Sequence, residues 1–114
     1  MIDWARLAEM RDELGGEDFA EIAAMFLEDT QDAVDLLDMD GNLEGQLHYL
    51  KGSALTMGFV ELAVLCSSGE AEAAAGRSDR VDLVEIGKAF RRAKGEFLTN
   101  GRERLNIDFG AVVT

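Results

Sequence analysis

Apolar residues recur along most of this chain at steps of three and four, the spacing that gathers them on one face of an α-helix. The cleanest run is Leu43, Leu47, Leu50, Ala54 and Met57, which predicts a helix over 43–57 with a single core-facing seam. Phe19, Ile22, Ala23, Phe26, Thr30, Ala33 and Leu37 predict a longer helix over 18–39. Leu62, Leu65, Cys66, Gly69 and Ala73 predict another over 60–75, and Leu83, Ile86, Gly87, Phe90, Ala93 and Phe97 a last one over 80–99. Ahead of these, Ile2, Trp4, Leu7 and Met10 give a short helix over 2–14 a smaller apolar face. The breaks carry turn residues: Gly15-Gly16, Asp40-Gly41-Asn42, Gly58 and Gly76-Arg77-Ser78, with Ser78 or Asp79 placed to cap the last helix. Four amphipathic helices of similar length joined by short turns predict an all-α fold, an antiparallel four-helix bundle with a short N-terminal capping helix. The chain reads as one domain over 1–114, with the cap helix at 2–14, the bundle at 18–99 and a tail at 100–114. Ile107, Phe109, Val112 and Val113 in that tail suit either a packed or a loose segment.

Composition narrows the class further. A chain of 114 residues with 47% hydrophobic content can bury one core without metals or disulfides. It has no proline and is rich in Ala, Leu and acidic residues, which suits helices. Cys66 is its one cysteine, so no internal disulfide can form, and no companion ligands suggest zinc; no cofactor is expected. The net charge of −12 is unevenly spread, since residues 1–47 hold 14 acids and 2 bases while residues 48–114 hold nine of each. Such a surface is repelled by nucleic-acid phosphates and by anionic membranes, so neither is an expected partner. The basic stretch from Lys88 to Lys94 reads as a solvated helix face, and the acidic half as a solubilising surface. No apolar run approaches the roughly 20 residues that span a bilayer. Asp3, Arg6, Glu9, Arg11 and Asp12 interrupt the N-terminus where a signal peptide would be apolar. A cytoplasmic protein is expected and, with no second long apolar seam, a monomer.

One side chain on this scaffold stands out. At about 100° per residue, the 43–57 seam clusters within roughly 40° of one direction, and His48 lies about 140° from it. Glu44, Lys51, Gly52 and Leu55 fall on the same outward side. The positions at i−3 and i+4 from His48 are Gly45 and Gly52, although glycine inside a helix costs roughly 1 kcal/mol relative to alanine. Bare backbone there would let another protein's active site close over the imidazole. Lys51, one turn on, can set an ammonium beside an anionic group on the ring. Leu55 and Phe59, with Glu44 nearby, are the expected docking surface for such a partner. A neutral imidazole offers one nitrogen lone pair near pH 7 and can act as a nucleophile toward phosphorus. Phosphoryl transfer then needs in-line geometry and charge neutralisation, and no metal-binding carboxylate cluster adjoins His48. A plain polar surface histidine would give the same helical pattern.

The segment His48-Tyr49-Leu50-Lys51-Gly52-Ser53-Ala54, followed by Gly58-Phe59, Leu62, Cys66 and Glu70, resembles the signature of histidine phosphotransfer (HPt) domains. That signature reads H-x-L-K-G-S-[AS], a glycine ten residues after the histidine and a leucine four beyond. The ungapped likeness spans about 23 residues, and a weaker one through Phe26-Leu27-Glu28 extends it over most of 18–99. The resemblance implies a four-helix bundle in which His48 is the phosphoacceptor, through Nε2 as is usual in the family. It implies that Lys51 assists the phosphate and that Gly52 keeps the approach clear. It also implies a phosphoryl carrier in a two-component phosphorelay, without independent enzymatic turnover. The partners would be response-regulator receiver domains, a hybrid histidine kinase or both, with Mg2+ held only by the partner receiver. Ser53 points toward the edge of the seam, so a local backbone hydrogen bond is expected of it. Gly58 should end or bend its helix, and Cys66 should be a small core residue. Two residues depart from the family pattern: Leu47 where alanine is frequent, and Gly69 where a bulky apolar residue is common. The competing readings are a non-catalytic helical adaptor and a free-standing enzyme. The latter is disfavoured by the lack of a second histidine, a nucleophile–base pair or a metal motif.

Overall fold

A computed structural model of the chain describes residues 1–107, and these fold as a bundle of α-helices. The helices are α1 (Trp4–Leu14), α2 (Gly16–Asp35), α3 (Leu43–Thr56), α4 (Val60–Ala74) and α5 (Leu83–Leu105), with a 3-10 turn at Ser78–Arg80 before the last. Side-chain oxygens of Asp3, Asn42 and Asp82 accept from the amides of Arg6, Gly45 and Glu85, which starts α1, α3 and α5. Two ends share one device. At the end of α3 the Phe59 amide donates to Ala54 O and the Gly58 amide to Leu55 O. At the end of α4, Arg77 donates to Glu72 O and Gly76 to Ala73 O. Gly58 (φ 68°) and Gly76 (φ 77°) hold the left-handed conformation that this closure requires.

The helices close into a ring. α3 packs most extensively on α4, α4 on α5, α5 on α2 and α2 on α3, while α1 lies across α2 and α5. Register shows that α3 and α4 form an antiparallel hairpin about Gly58. Leu47 lies against Gly69, and Lys51 meets Glu70. The core between the helices holds Leu47, Leu50, Leu62, Phe59, Phe90 and Phe97, all at most 1% exposed. α1 seals one side. Trp4 stacks on Phe97 at a 6.2 Å centroid separation and lies under the Arg104 guanidinium, while Arg11 donates to the Leu105 carbonyl. The residues before α1 clasp the α3–α4 turn: the Asp3 amide donates to Gly58 O (2.8 Å) and the Val60 amide to Met1 O (3.2 Å).

Several expectations are corrected. Phe59, expected on the docking surface, is 1% exposed and packs against Phe90 and Phe97. The closure at Gly58, in which the Phe59 amide reaches back to Ala54 O, turns that residue inward. α2 begins two residues earlier than expected and stops at Asp35 instead of Met39. There the Asp38 carboxylate takes the Asp40 amide, and the Gln46 side chain takes that of Asp38, local bonds that compete with continued helix. α5 begins at Leu83, because Ser78–Arg80 forms the 3-10 turn, and it runs past Thr99 to Leu105. Gly101 and Leu105 continue its buried seam, and Asn106 ends it in the left-handed region (φ 51°). Part of the presumed tail is therefore core helix, and Ile107 packs against the start of α2. Phe109, Val112 and Val113 lie outside the described residues.

The departures at Leu47 and Gly69 have a common cause. A Cβ on Gly69 would lie 2.9 Å from Leu47 Cδ1 and 3.2 Å from Val81 Cγ1. A larger residue on α3 fills the space that a smaller one leaves on α4. The missing side chain at Gly69 thus lets Leu47 and Val81 approach α4 closely.

Candidate functional site

The outward face of α3 begins with Glu44 and continues one turn at a time through His48, Lys51 and Leu55. The seam on the other side, Leu43, Leu47, Leu50 and Ala54, is buried, and this fixes the rotation of the helix about its axis. His48 is therefore exposed at mid-helix, with 73% of its side chain open. It is not free to rotate. Glu70, on the facing turn of α4, places its carboxylate oxygens 2.9 and 3.2 Å from His48 Nδ1. The Lys51 ammonium donates to the same two oxygens at 3.0 Å each. One carboxylate, itself only 16% exposed, thus ties the imidazole and the ammonium to a second helix.

These contacts set the protonation pattern. The hydrogen bond from His48, followed by that from Lys51, holds the Glu70 carboxyl below the ordinary glutamate value. An ionised carboxylate only accepts, so in the neutral ring Nδ1 carries the proton. Nε2 then keeps its lone pair, and no hydrogen bond occupies it among the described residues.

The two glycines flanking His48 differ. Around Gly52 a Cβ would find nothing within 4 Å, so the surface beside the imidazole is open. Gly45 also has a local cause: a Cβ there would lie 2.5 Å from Nδ2 of Asn42, the residue that caps α3 through the Gly45 amide. Ser53 is buried on the seam side. A local side-chain bond on this helix is made by Thr56, whose Oγ1 donates to Gly52 O at 3.0 Å. Cys66 is fully buried. Burial, with a smaller contribution from Glu70, pushes its thiol up to about 12, which closes it to thiolate chemistry.

Beyond Lys51 the exposed face opens into a groove of about 500 Å³ between α3 and α4, walled at one end by the start of α1. Leu55 (55% exposed), Val60 and Val64 give it an apolar lining. Leu55 was anticipated there. Val60 and Val64 were not, because only the hairpin register carries them to the same groove. Glu70 matched the family pattern but had no assigned role. Its pairing depends on α4 running back along α3, which no local spacing reveals. Among the described residues no group of three or more His, Cys, Asp or Glu side chains could hold a metal ion. None of the helices is long and apolar enough to cross a membrane, again among the described residues.

The family model for the Hpt domain matches residues 5–105. No curated protein and no solved structure matches the chain.

Proposed function

The chain belongs to the Hpt domain family, the histidine phosphotransfer modules of phosphorelays, and from that premise we propose that His48 is its phosphoacceptor. The observation that carries the assignment is the hydrogen bond from Nδ1 to Glu70, which leaves an exposed Nε2 with its lone pair outward. In the accepting step Nε2 forms a bond to the phosphorus of a partner's aspartyl phosphate, and the aspartate carboxylate leaves with the electron pair. No proton need move. The ring becomes a phosphoimidazolium whose Nδ1–H stays on Glu70, and the ionised carboxylate offsets the new positive charge. Transfer to a second aspartate reverses the step. Neutral imidazole leaves, already in the tautomer needed for the next cycle. A phosphohistidine of a kinase would donate by the same exchange.

Lys51 lies one helical turn from His48 and serves as the counter-charge for the phosphoryl oxygens, sharing its ammonium between them and Glu70. Mg2+ and the acceptor aspartate belong to the partner in this reading. Open space at Gly52 admits the partner's active site, while Glu44, Leu55, Val60 and Val64 form its docking surface. Hpt domains are phosphocarrier modules, and the direction of transfer depends on which partners are charged.

The test uses receiver domains from the same genome charged with acetyl phosphate. The chain should take up acid-labile, base-stable label, and His48→Gln should take none. If the wild type draws label from none of several receivers and from no kinase, a purely adaptor role replaces the carrier reading. Equal labelling of His48→Gln would move the acceptor elsewhere.

A further inference from the structure

We propose that Arg6 determines partner specificity by reading a carboxylate on the docking face of the receiver domain, at the end of the α3–α4 groove farthest from His48. This inference rests on the phosphocarrier reading. The groove floor is apolar, built from Ala54, Leu55, Val60, Ala63 and Val64, and its charged lining is Lys51 at one end and Asp3 with Arg6 at the other. Two of those three charges are already engaged. Lys51 is bound to both oxygens of Glu70, and the Asp3 carboxylate caps α1 at the Arg6 amide.

Arg6 is different. Its Nε donates to the Thr56 carbonyl at 3.3 Å, across 50 residues of sequence, which anchors the guanidinium at the negative end of the α3 dipole. It forms no ion pair among the described residues, whereas Arg11, Arg77 and Arg92 each meet a carboxylate. An exposed, oriented guanidinium beside an apolar groove suits bidentate recognition of a carboxylate. The groove continues the His48 face, so a receiver closing over Nε2 covers both. Thr56 lies eight residues beyond His48, about 12 Å along the helix. The fitting partner therefore presents an apolar surface with an Asp or Glu roughly that far from its phosphorylated aspartate. A second copy of this chain fits poorly, because a net charge of −12 opposes self-association.

In the test, wild type, Arg6→Lys, Arg6→Gln and Arg6→Glu are each loaded to the same phosphohistidine level with phosphoramidate. This small donor forms the Nε2–P bond as ammonia leaves and needs no docking. Each loaded protein is then mixed with the receivers that wild type serves, at several ionic strengths, after its fold is checked by thermal melting. Arg6→Glu should lose about five- to tenfold in kcat/KM, mostly through KM, and Arg6→Gln should lose less. Arg6→Lys keeps the charge but not the two-pronged fork, so its rate should fall between those of wild type and Arg6→Gln, and the salt dependence should flatten in the neutral variant. Equal kcat/KM for folded Arg6→Gln, Arg6→Glu and wild type would overturn the assignment to Arg6 while leaving the carrier reading standing. Failure of wild type to serve any receiver would instead overturn the carrier reading, and this inference with it.

Discussion

The carboxylate of Glu70 meets both His48 and Lys51, so replacing it acts on two side chains at once. Glu70→Gln keeps the shape but removes the charge that opposes the phosphoimidazolium cation. Transfer to and from His48 should slow by about tenfold, the effect of losing about 1.4 kcal/mol of electrostatic stabilisation in the transition state. Imidazole 15N shifts should show the proton distributed over both ring nitrogens, and an unchanged rate and tautomer would refute the role. The same residue ties stability to pH. Its folded pKa is depressed, first by His48 and then by Lys51. Its contribution is therefore fully present above the ordinary value of 4.5 and is lost as pH falls through the lower folded value. The urea midpoints of wild type and Glu70→Gln should differ at pH 6–7 and converge below pH 4.5. Gly52 gives a complementary separation. With nothing within 4 Å, Gly52→Ala should stabilise α3 by up to about 1 kcal/mol. Gly52→Gln should fold as well as wild type yet transfer more slowly, and equal transfer by the Gln variant would remove the access argument. The outward direction of His48 was legible from helical spacing alone. Its bond to Glu70 was not, because that bond depends on the register between two helices.

Helix pairs carry the next level of information. Leu47 on α3 and Gly69 on α4 exchange volume across the hairpin, so each alone is a departure and together they fit. Leu47→Ala should cost about 2–5 kcal/mol by leaving a cavity. Gly69→Leu should cost about 1–3 kcal/mol or more by overpacking against Leu47 and Val81. The double variant should be less destabilised than the sum, with a coupling of about 0.5–3 kcal/mol in denaturant titrations; strict additivity would show that the contact does not bind the two choices. The existence and order of the five helices followed from periodicity and glycine punctuation. The ends did not. The last helix is expected to stop at Thr99, but Gly101 is buried on the α5 seam and the helix continues. Phe59 follows a helix-ending glycine and reads as surface, yet the backbone closure at Gly58 drives it into the core. At Gly101 burial prevails because a full helical turn outweighs one glycine, whereas at Gly58 the glycine's own closure brings the burial about.

At the scale of the whole molecule, the acidic half of the sequence supplies α1 and α2, while the other half supplies the α4–α5 side of the ring and most of the site. Charge counting does not locate a groove, since the groove's charged lining comes from the start of α1 and from α3 together. His48, Lys51 and Glu70 all lie on one hairpin, whereas Arg6 reaches it from 50 residues away. That separation bears on the order of assembly. A helical hairpin forms from short-range contacts, but the clasp of Met1 and Asp3 on the α3–α4 turn must first close a long loop. The clasp should therefore be the last part to form and the first to open. Native-state hydrogen exchange should find the Asp3 and Val60 amides exchanging well ahead of those of Leu50 and Ala54, and uniform protection would contradict this. A molecule with α1 detached would still hold the imidazole, ammonium and carboxylate together but would lack the wall bearing Arg6. Local unfolding at one terminus would then degrade discrimination among partners before it degrades the capacity to carry phosphate.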